Sequence, residues 1–306
     1  MIVSGGEALV DLVPAESGMD LLAPRLGGGP YNVALAAARL GVPTAFLSRI
    51  STDRFGQALV DRLKASTVDT SLVQRGPEPT TLAVVALDEQ GSAEYSFYTE
   101  GTADRLVTDP GPLPEGTRAL SLGTLGMVLE PGAGVYETLL HREAGRGVLT
   151  ALDPNIRADM IPDPAAYRAR FRSWLPSVRL LKVSVDDAGW LAEGAPVEDA
   201  ARAWLDAGVQ AVVVTKGGDG LSVLTADGEV ASGPTVEVDV VDTIGAGDTV
   251  QGALLAWLVQ QDVRDLPQLE PADWQQALGY AARAAAVTVS RSGAEPPTAE
   301  ELARFR

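Results

Sequence analysis

Short apolar runs separated by helix-length stretches constrain the fold of this chain more than any other feature. Ala45-Phe46-Leu47, Ala119-Leu120-Ser121-Leu122, Val148-Leu149-Thr150-Ala151-Leu152, Leu180-Leu181-Lys182-Val183 and Ala211-Val212-Val213-Val214 are each bounded by turn residues. Between and around them, Asn32 to Leu40, Gln57 to Ala65, Ala165 to Trp174 and Val197 to Ala207 have helical spacing. Continuous rather than alternating hydrophobicity marks strands covered on both faces, and strands that alternate with helices pair in parallel. The expectation is an α/β fold, a parallel sheet covered by helices on both faces, with ligands at the carboxyl ends of the strands. No internal repeat or low-complexity linker interrupts the 306 residues, so residues 1–306 read as one domain.

One stretch departs from this rhythm. Thr81 to Tyr98 reads as a β-hairpin, with Leu82, Val84 and Val85 before an Asp88-Glu89-Gln90-Gly91 turn and Tyr95, Phe97 and Tyr98 after it. No helix separates its strands, so they cannot be neighbours in a parallel sheet. With Glu7 to Leu22 they are expected to form a small antiparallel sheet, a lid built from segments of about 8–24 and 80–105 that excludes water from a bound substrate. Its exposed apolar face predicts a homodimer through the lid.

Two glycine turns carry the chemistry. In Asp242-Thr243-Ile244-Gly245-Ala246-Gly247-Asp248 the turn lies between an alternating β-branched run, Thr235 to Val241, and a helical segment, Thr249 to Val259. The expected sequence of elements is strand, tight turn and helix start. Gly245, Ala246 and Gly247 leave backbone N–H groups uncovered at a helix N-terminus, where the macrodipole favours an anion. Asp248 follows directly, so its carboxylate sits beside that anion, able to take a proton from an attacking hydroxyl. Gly27-Gly28-Gly29-Pro30-Tyr31-Asn32-Val33-Ala34 is the second turn. Gly28 and Gly29 let a polyhydroxylated ligand approach the backbone, and Asn32 offers both a donor and an acceptor.

Charge and composition exclude several classes. With 41 acidic and 24 basic residues the net charge is −17, which repels nucleic acid and anionic membranes. A nucleotide is therefore held by local dipoles and a few placed cations. The absence of cysteine removes thiolate chemistry and fits a cytoplasmic protein; the single histidine, His141, is expected on an exposed face of a helix near residues 132–144. No leader is expected at the start, and no apolar run approaches the roughly 18 residues of a membrane span. A P-loop needs a Gly-Lys pair, which the chain lacks, and the Gly5-Gly6-Glu7-Ala8-Leu9 stretch does not match a dinucleotide-binding Gly-x-Gly-x-x-Gly.

The turn at Gly27 to Ala34 resembles the N-terminal signature, and the turn at Asp242 to Asp248 the C-terminal signature, of the ribokinase-like (PfkB) carbohydrate kinases, bacterial fructokinases most of all. The resemblance extends over residues 1–297. It implies ATP and Mg²⁺ as cofactors, a monovalent cation such as K⁺ near Ser292-Gly293-Ala294, and a monosaccharide acceptor, with Asp248 as catalytic base. Gly6-Glu7-Ala8-Leu9-Val10-Asp11 is similar to the family's opening strand, which makes Asp11 a sugar ligand. The Phe97 to Asp104 segment is similar to the fructokinase lid, with Phe97 against the sugar. Asp153-Pro154-Asn155-Ile156-Arg157 matches the family's Asp-Pro-Asn-x-Arg, and Arg157 is suited to a bidentate phosphoryl contact. In Lys182-Val183-Ser184-Val185-Asp186-Asp187 the family's Asn-x-x-Glu is replaced by Ser184 and Asp187. Asp187 is then expected to organise metal through water, with Asp186 as the adjacent rival, and Lys182 to reach phosphate or to snorkel from its strand. Thr215-Lys216-Gly217-Gly218-Asp219-Gly220 admits the nucleotide through Thr215, Gly217 and Gly220. Lys216 departs from the family's usual apolar residue, and Ala282 belongs to the small-residue wall beside adenine. Leu40 to Ala45 and Asp53 to Gly56 match architectural pieces.

The implied activity is transfer of the γ-phosphoryl group of ATP to a primary hydroxyl of fructose. The alternatives are 2-keto-3-deoxygluconate, ribose or adenosine as acceptor. A sensor that binds sugar or nucleotide without turnover is the reading from a different class, and the presence of Asp248 argues against it.

Overall fold

The computed structural model describes residues 1–14, 21–87 and 93–305. Its strands are β1 (Ile2–Gly5), β2 (Leu9–Pro14), β3 (Leu22–Gly27), β4 (Thr44–Ser51), β5 (Val73–Gly76), β6 (Thr81–Leu87), β7 (Ala93–Tyr98), β8 (Ala119–Gly123), β9 (Leu149–Asp153), β10 (Leu180–Ser184), β11 (Ala211–Thr215), β12 (Leu221–Thr225) and β13 (Gly228–Gly233). The α-helices are α1 (Gly29–Arg39), α2 (Arg54–Ala65), α3 (Gly132–Gly145), α4 (Pro164–Trp174), α5 (Val185–Leu191), α6 (Val197–Asp206), α7 (Ala246–Gln260), α8 (Pro271–Val289) and α9 (Ala299–Arg304).

Nine strands form the main sheet in the order β13-β12-β11-β10-β9-β8-β1-β4-β5. From β11 to β5 every neighbour is parallel, and β12 and β13 close one edge antiparallel. Alternation along each strand feeds two separate cores. In β11, Ala211 and Val213 pack with Val33, Val250, Trp257 and Trp274 from α1, α7 and α8. Val212 and Val214 pack on the opposite face with Leu139, Phe171, Trp174 and Trp204 from α3, α4 and α6. Both faces are therefore covered, as the continuous apolar runs require. His141 lies on α3 with its Nδ1 2.8 Å from Ser177 Oγ at the surface.

The smaller sheet has the order β3-β2-β6-β7. Its outer pairs are antiparallel, but β2 and β6 run parallel, with Leu9 opposite Thr81 and Leu12 opposite Val84. The expectation of an all-antiparallel sheet is corrected at that pair: β2 and β6 are joined through β4, α2 and β5 rather than by a turn. The third strand also runs further than expected, to Gly27, and so delivers the chain directly into the first glycine turn. The Asp88-Glu89-Gln90-Gly91 turn lies outside the described residues, as does 15–20.

A second correction concerns Thr235 to Val241, which forms no strand. Val236 and Val238 turn inward between exposed neighbours, and this gives the alternation without a ladder. Val236 and Val238 line a groove described below.

Helix α7 lies between α1 and α8, and its approach to α1 is as close as backbones allow. A Cβ on Gly252 would stand 2.7 Å from Ala36 Cβ and 2.8 Å from Val33 O. Gly279, in the middle of α8, faces open space. Gly252→Val is therefore expected to cost about 1–3 kcal/mol by overpacking the α1–α7 seam. Gly279→Ala should gain roughly 0.5–1 kcal/mol from helix propensity alone. Thermal melts of the two variants should move in opposite directions.

Candidate active site

The main-sheet strands deliver the site residues at their carboxyl ends. β1 runs into Glu7, β9 ends in Asp153 and feeds Asn155 and Arg157, and β10 carries Lys182 and Ser184. α7 then brings its N-terminus over this edge. Gly245 is its N-cap, in the left-handed region at φ 78°. A side chain there would strike Ala294 at 2.5 Å, so only glycine fits on both counts. Asp242 fixes the turn from below: its Oδ1 accepts from Ile244 N at 3.0 Å and its Oδ2 from Gly293 N at 2.8 Å. The Ala246 N–H turns back to Thr243 O at 3.3 Å. The Gly247 and Asp248 amides have no acceptor among the described residues. Gly245 N likewise has none, so of the expected Gly245-Ala246-Gly247 cradle the Ala246 amide alone is engaged, and Asp248 N adds to it.

Asp248 is 8 % exposed, and its Oδ2 accepts from Asn32 Nδ2 at 2.8 Å. Burial pushes its carboxyl up to about 6, against the opposing effects of the Asn32 hydrogen bond, Lys182 and Arg157. It remains mostly ionised at neutral pH with its Oδ1 free of donors among the described residues. Asn32 Oδ1 is buried without a partner, so an acceptor is left aimed at whatever fills the site.

Two cavities meet at this helix end. The smaller, about 260 Å³, is lined by Asp11, Gly28, Gly29, Asn32, Phe97, Arg157 and Asp248 together with Glu7, Tyr95, Thr124, Asn155, Gly245 and Gly247. It lies below the 300–1,000 Å³ typical of drug-sized ligands and suits a small polyol. Asp11 is pushed up to about 6, first by burial and then by Asp248 and Asp242, with Arg157 opposing. Tyr95 and Phe97 stack at 5.9 Å and 15° as one aromatic wall, while Tyr98, next on the strand and facing the other way, is 61 % exposed. Arg157 Nη1 is tied to Asn155 O at 3.1 Å and Oδ1 at 2.9 Å; Nη2 and Nε have no acceptor among the described residues.

The larger cavity, about 1,010 Å³, is a groove lined by Ser184, Asp186, Thr215, Lys216, Gly217, Gly220, Gly247 and Ala282 and walled by Val185, Val236, Val238, Val250 and Val289. Thr243 and Gly247 belong to both cavities. Gly220 is required because a Cβ there would lie 2.1 Å from Gly233 O. Lys216 leans away, with Nζ 3.9 Å from Glu229 Oε2.

Two expected groups sit elsewhere. Lys182 does not line the groove; it is 4 % exposed and its Nζ donates to Asp153 Oδ2 at 2.5 Å. Asp187 is a helix cap rather than a groove carboxylate. Its Oδ2 accepts from Ser184 Oγ at 2.7 Å in a capping box on α5, and its Oδ1 accepts from Ile156 N at 2.8 Å. Of the two adjacent carboxylates, the groove is lined by Asp186. Among the described residues no group of three or more Asp, Glu, His or Cys is placed to hold a metal.

Sequence reasoning passed over Glu7, Tyr95, Thr124 and Asn155. Glu7 is 2 % exposed, with Oε1 accepting from Gly29 N and Oε2 from Gly126 N, both at 2.9 Å. Burial lifts it to about 8, against those two hydrogen bonds. Thr124 and Asn155 take positive φ of 51° and 41° on the rim of the small cavity, where backbone strain tends to collect. Tyr95 was visible as the inward partner of Phe97 in a two-residue period. Glu7 and Asn155 lie within the two segments that carry Asp11 and Arg157, whereas Thr124 has no local signal.

The chain was compared with known proteins. A family model described as pfkB family carbohydrate kinase matches residues 1–301. A fructokinase of Rhizobium leguminosarum bv. trifolii is 40% identical over 282 residues, covering 91% of this chain and 85% of the relative. The crystal structure of fructokinase with bound ATP from Xylella fastidiosa superposes with a TM-score of 0.91 at 27% identity, covering 99% of this chain and 97% of that one. A fructokinase double mutant from Vibrio cholerae O395, bound to fructose, ADP and potassium ion, gives 0.88 at 26% identity over 99% and 97%. Two glycine turns meeting over one sheet edge, in a chain matched along nearly its whole length, lead to one conclusion: this protein has the ribokinase-like fold and belongs to the pfkB family of carbohydrate kinases.

Proposed function

We propose that the protein is an ATP-dependent fructokinase, one kinase unit over residues 1–306 with the four-stranded sheet as its lid. The observation that carries this is the meeting of a small polar cavity and a long, largely apolar groove at Thr243 and Gly247, beside Asp248. The groove takes the nucleotide, and the small cavity takes the sugar. Both reacting groups then converge on the amide-rich end of α7.

In the mechanism, the sugar's primary hydroxyl gives its proton to Asp248 Oδ1 as its oxygen bonds to the γ-phosphorus; the bond from that phosphorus to the β–γ bridging oxygen breaks and ADP leaves. The Gly247 and Asp248 amides, with the free face of Arg157, stabilise charge on the transferred oxygens. Asp11 and Asn32 Oδ1 accept from sugar hydroxyls, and Tyr95 and Phe97 cover an apolar sugar edge. The lid sheet excludes water that would otherwise take the phosphoryl group. Thr215, Gly217, Gly220 and Ala282 shape the groove for the nucleotide, with Ser184 and Lys216 on its rim. Asp186, which lines the groove, would hold a Mg²⁺ ion brought with the nucleotide, and that ion would supply neutralisation of phosphate charge. K⁺ is the proposed monovalent cation, in keeping with the potassium ion of the Vibrio structure. The cytoplasmic nucleotide pool is the proposed source of ATP.

The choice of fructose over an acid sugar follows from charge. Asp11 and Asp248 face the small cavity as anions, with Glu7 mainly protonated beside them, against Arg157 as the one cation in its lining. A carboxylated sugar meets repulsion there. An ATP-coupled assay should give a much higher kcat/KM for fructose than for 2-keto-3-deoxygluconate, and equal or reversed values would overturn the substrate while leaving the kinase. Absence of turnover with every sugar would favour a sensor.

Leu21 and Tyr98 are 57 % and 61 % exposed on the lid strands and their approach. We propose that they pack against the same sheet of a second copy. Light scattering at micromolar concentration should return the dimer mass, and a monomer would count against the arrangement.

Asp248→Asn keeps size and the Asn32 neighbourhood but removes the proton acceptor, so kcat should fall roughly 10²- to 10⁴-fold with nucleotide affinity little changed. In the wild type, kcat should fall as pH drops through about 6, because the protonated carboxyl of Asp248 cannot act as base. If the residue only capped α7, the same variant would lose about 1 kcal/mol of stability or less and keep its turnover. Near-normal kcat in folded Asp248→Asn removes the base from this mechanism.

A further inference from the structure

Beneath the first turn of α7 lies Lys182, the one buried lysine among the described residues. Register places it there: β9 and β10 pair with Leu152 opposite Leu181, so the next residue on each strand is Asp153 or Lys182. Their side chains meet at 2.5 Å. A Cβ on Gly247 would stand 3.0 Å from Lys182 Nζ, so the missing side chain of the cradle's second glycine is what leaves room for the ammonium.

For stability alone this is a poor place for a cation. The ammonium is stripped of water, and an ion pair so buried is often replaceable by apolar residues without loss. It also sits against the N-terminus of a helix, whose partial charge has the same sign. Asp153 offsets part of this, yet its own Oδ1 is buried with no partner. Conflicts of this kind persist in proteins where a site needs them. An ammonium and a helix N-terminus forced together lower their joint energy when an anion arrives above them, as it does in transfer of a phosphoryl group.

We propose that Lys182, fixed by Asp153, is a positioning residue of the transfer step, supplying positive potential behind the cradle without lining either cavity. The inference rests on the phosphotransfer reading above. The same ammonium is close enough to Asp248 to favour its ionised form against burial and against Asp153. Burial acts to lower its pKa, but Asp153, with Asp248 and Asp187 behind it, raises it overall, so the ammonium stays charged.

The test uses the full chain with Lys182→Met and with the double variant Asp153→Asn/Lys182→Met, which leaves no lone charge in the interior. Measured are kcat, KM for fructose and for ATP, the pH profile of kcat, and the melting temperature. In both variants kcat should fall roughly 10- to 100-fold, less than for a donor that touches the oxyanion, with fructose KM within about threefold. In Lys182→Met the acid limb of kcat should move to higher pH, which a packing role would not do; in the double variant, where Asp153 no longer raises Asp248, it should not. Wild-type kcat with an unmoved acid limb in folded Lys182→Met overturns the inference, as does wild-type kcat in the double variant. If the single variant does not fold, the double variant decides. A wild-type chain inert toward every sugar overturns both this inference and the function it rests on, whereas an active wild type matched by its variants overturns this inference alone.

Discussion

The hydrogen bond from Asn32 Nδ2 to Asp248 Oδ2 holds the site together, joining residues 216 apart in sequence across the seam between α1 and α7. Each of its ends leads a helix out of a glycine turn. The close packing at Gly252 sets how near those helices lie and therefore whether the bond can form. Glu7 anchors the same construction from the sheet side, with one oxygen on the amide of Gly29 and the other on that of Gly126. A packing contact between two helices, a side-chain bond at their mouths and a buried carboxyl beneath them thus fix the proposed base relative to the proposed sugar cavity.

Electrostatically the site works against the rest of the protein. A net charge of −17 opposes any polyphosphate at long range. Close in, that field is answered by groups with no freedom to reorganise: amides at a helix end, one arginine braced by its own loop and one lysine locked to Asp153. Preorganised donors in a poorly solvated setting act more strongly than the same groups in water, and they need no net positive charge on the molecule. Burial also raises Asp248, Asp11 and Glu7 to differing degrees, so three carboxyls around one small cavity do not share one protonation state.

Much of the fold was legible because its signals are local. Strands buried on both faces produce continuous apolar runs, helices between them keep their period, and the two glycine turns advertise themselves by composition. Alternation at Thr235 to Val241 misled because a loop with one side against a groove produces the same two-residue period as a strand. Asp187 was read as a metal-organising acid from the resemblance to Asn-x-x-Glu, and Lys182 as reaching phosphate or snorkelling from its strand end. Their real partners, Ile156 and Asp153, lie 31 and 29 residues away and are met only through the pairing of β9 with β10. Glu7 was hidden for the same reason, since its two amide donors are 22 and 119 residues distant. What the sequence conceals here is register and tertiary partnership, not residue chemistry.

The parallel pairing of β2 with β6 bears on how the molecule is assembled. Leu9 meets Thr81 only after β4, α2 and β5 have been laid into the main sheet, so the small sheet is not an appendage inserted at one point. It is stitched from two separate excursions of the chain, each returning to the body. No single excision can therefore take the roof of the cavity away while leaving the chain continuous beneath it.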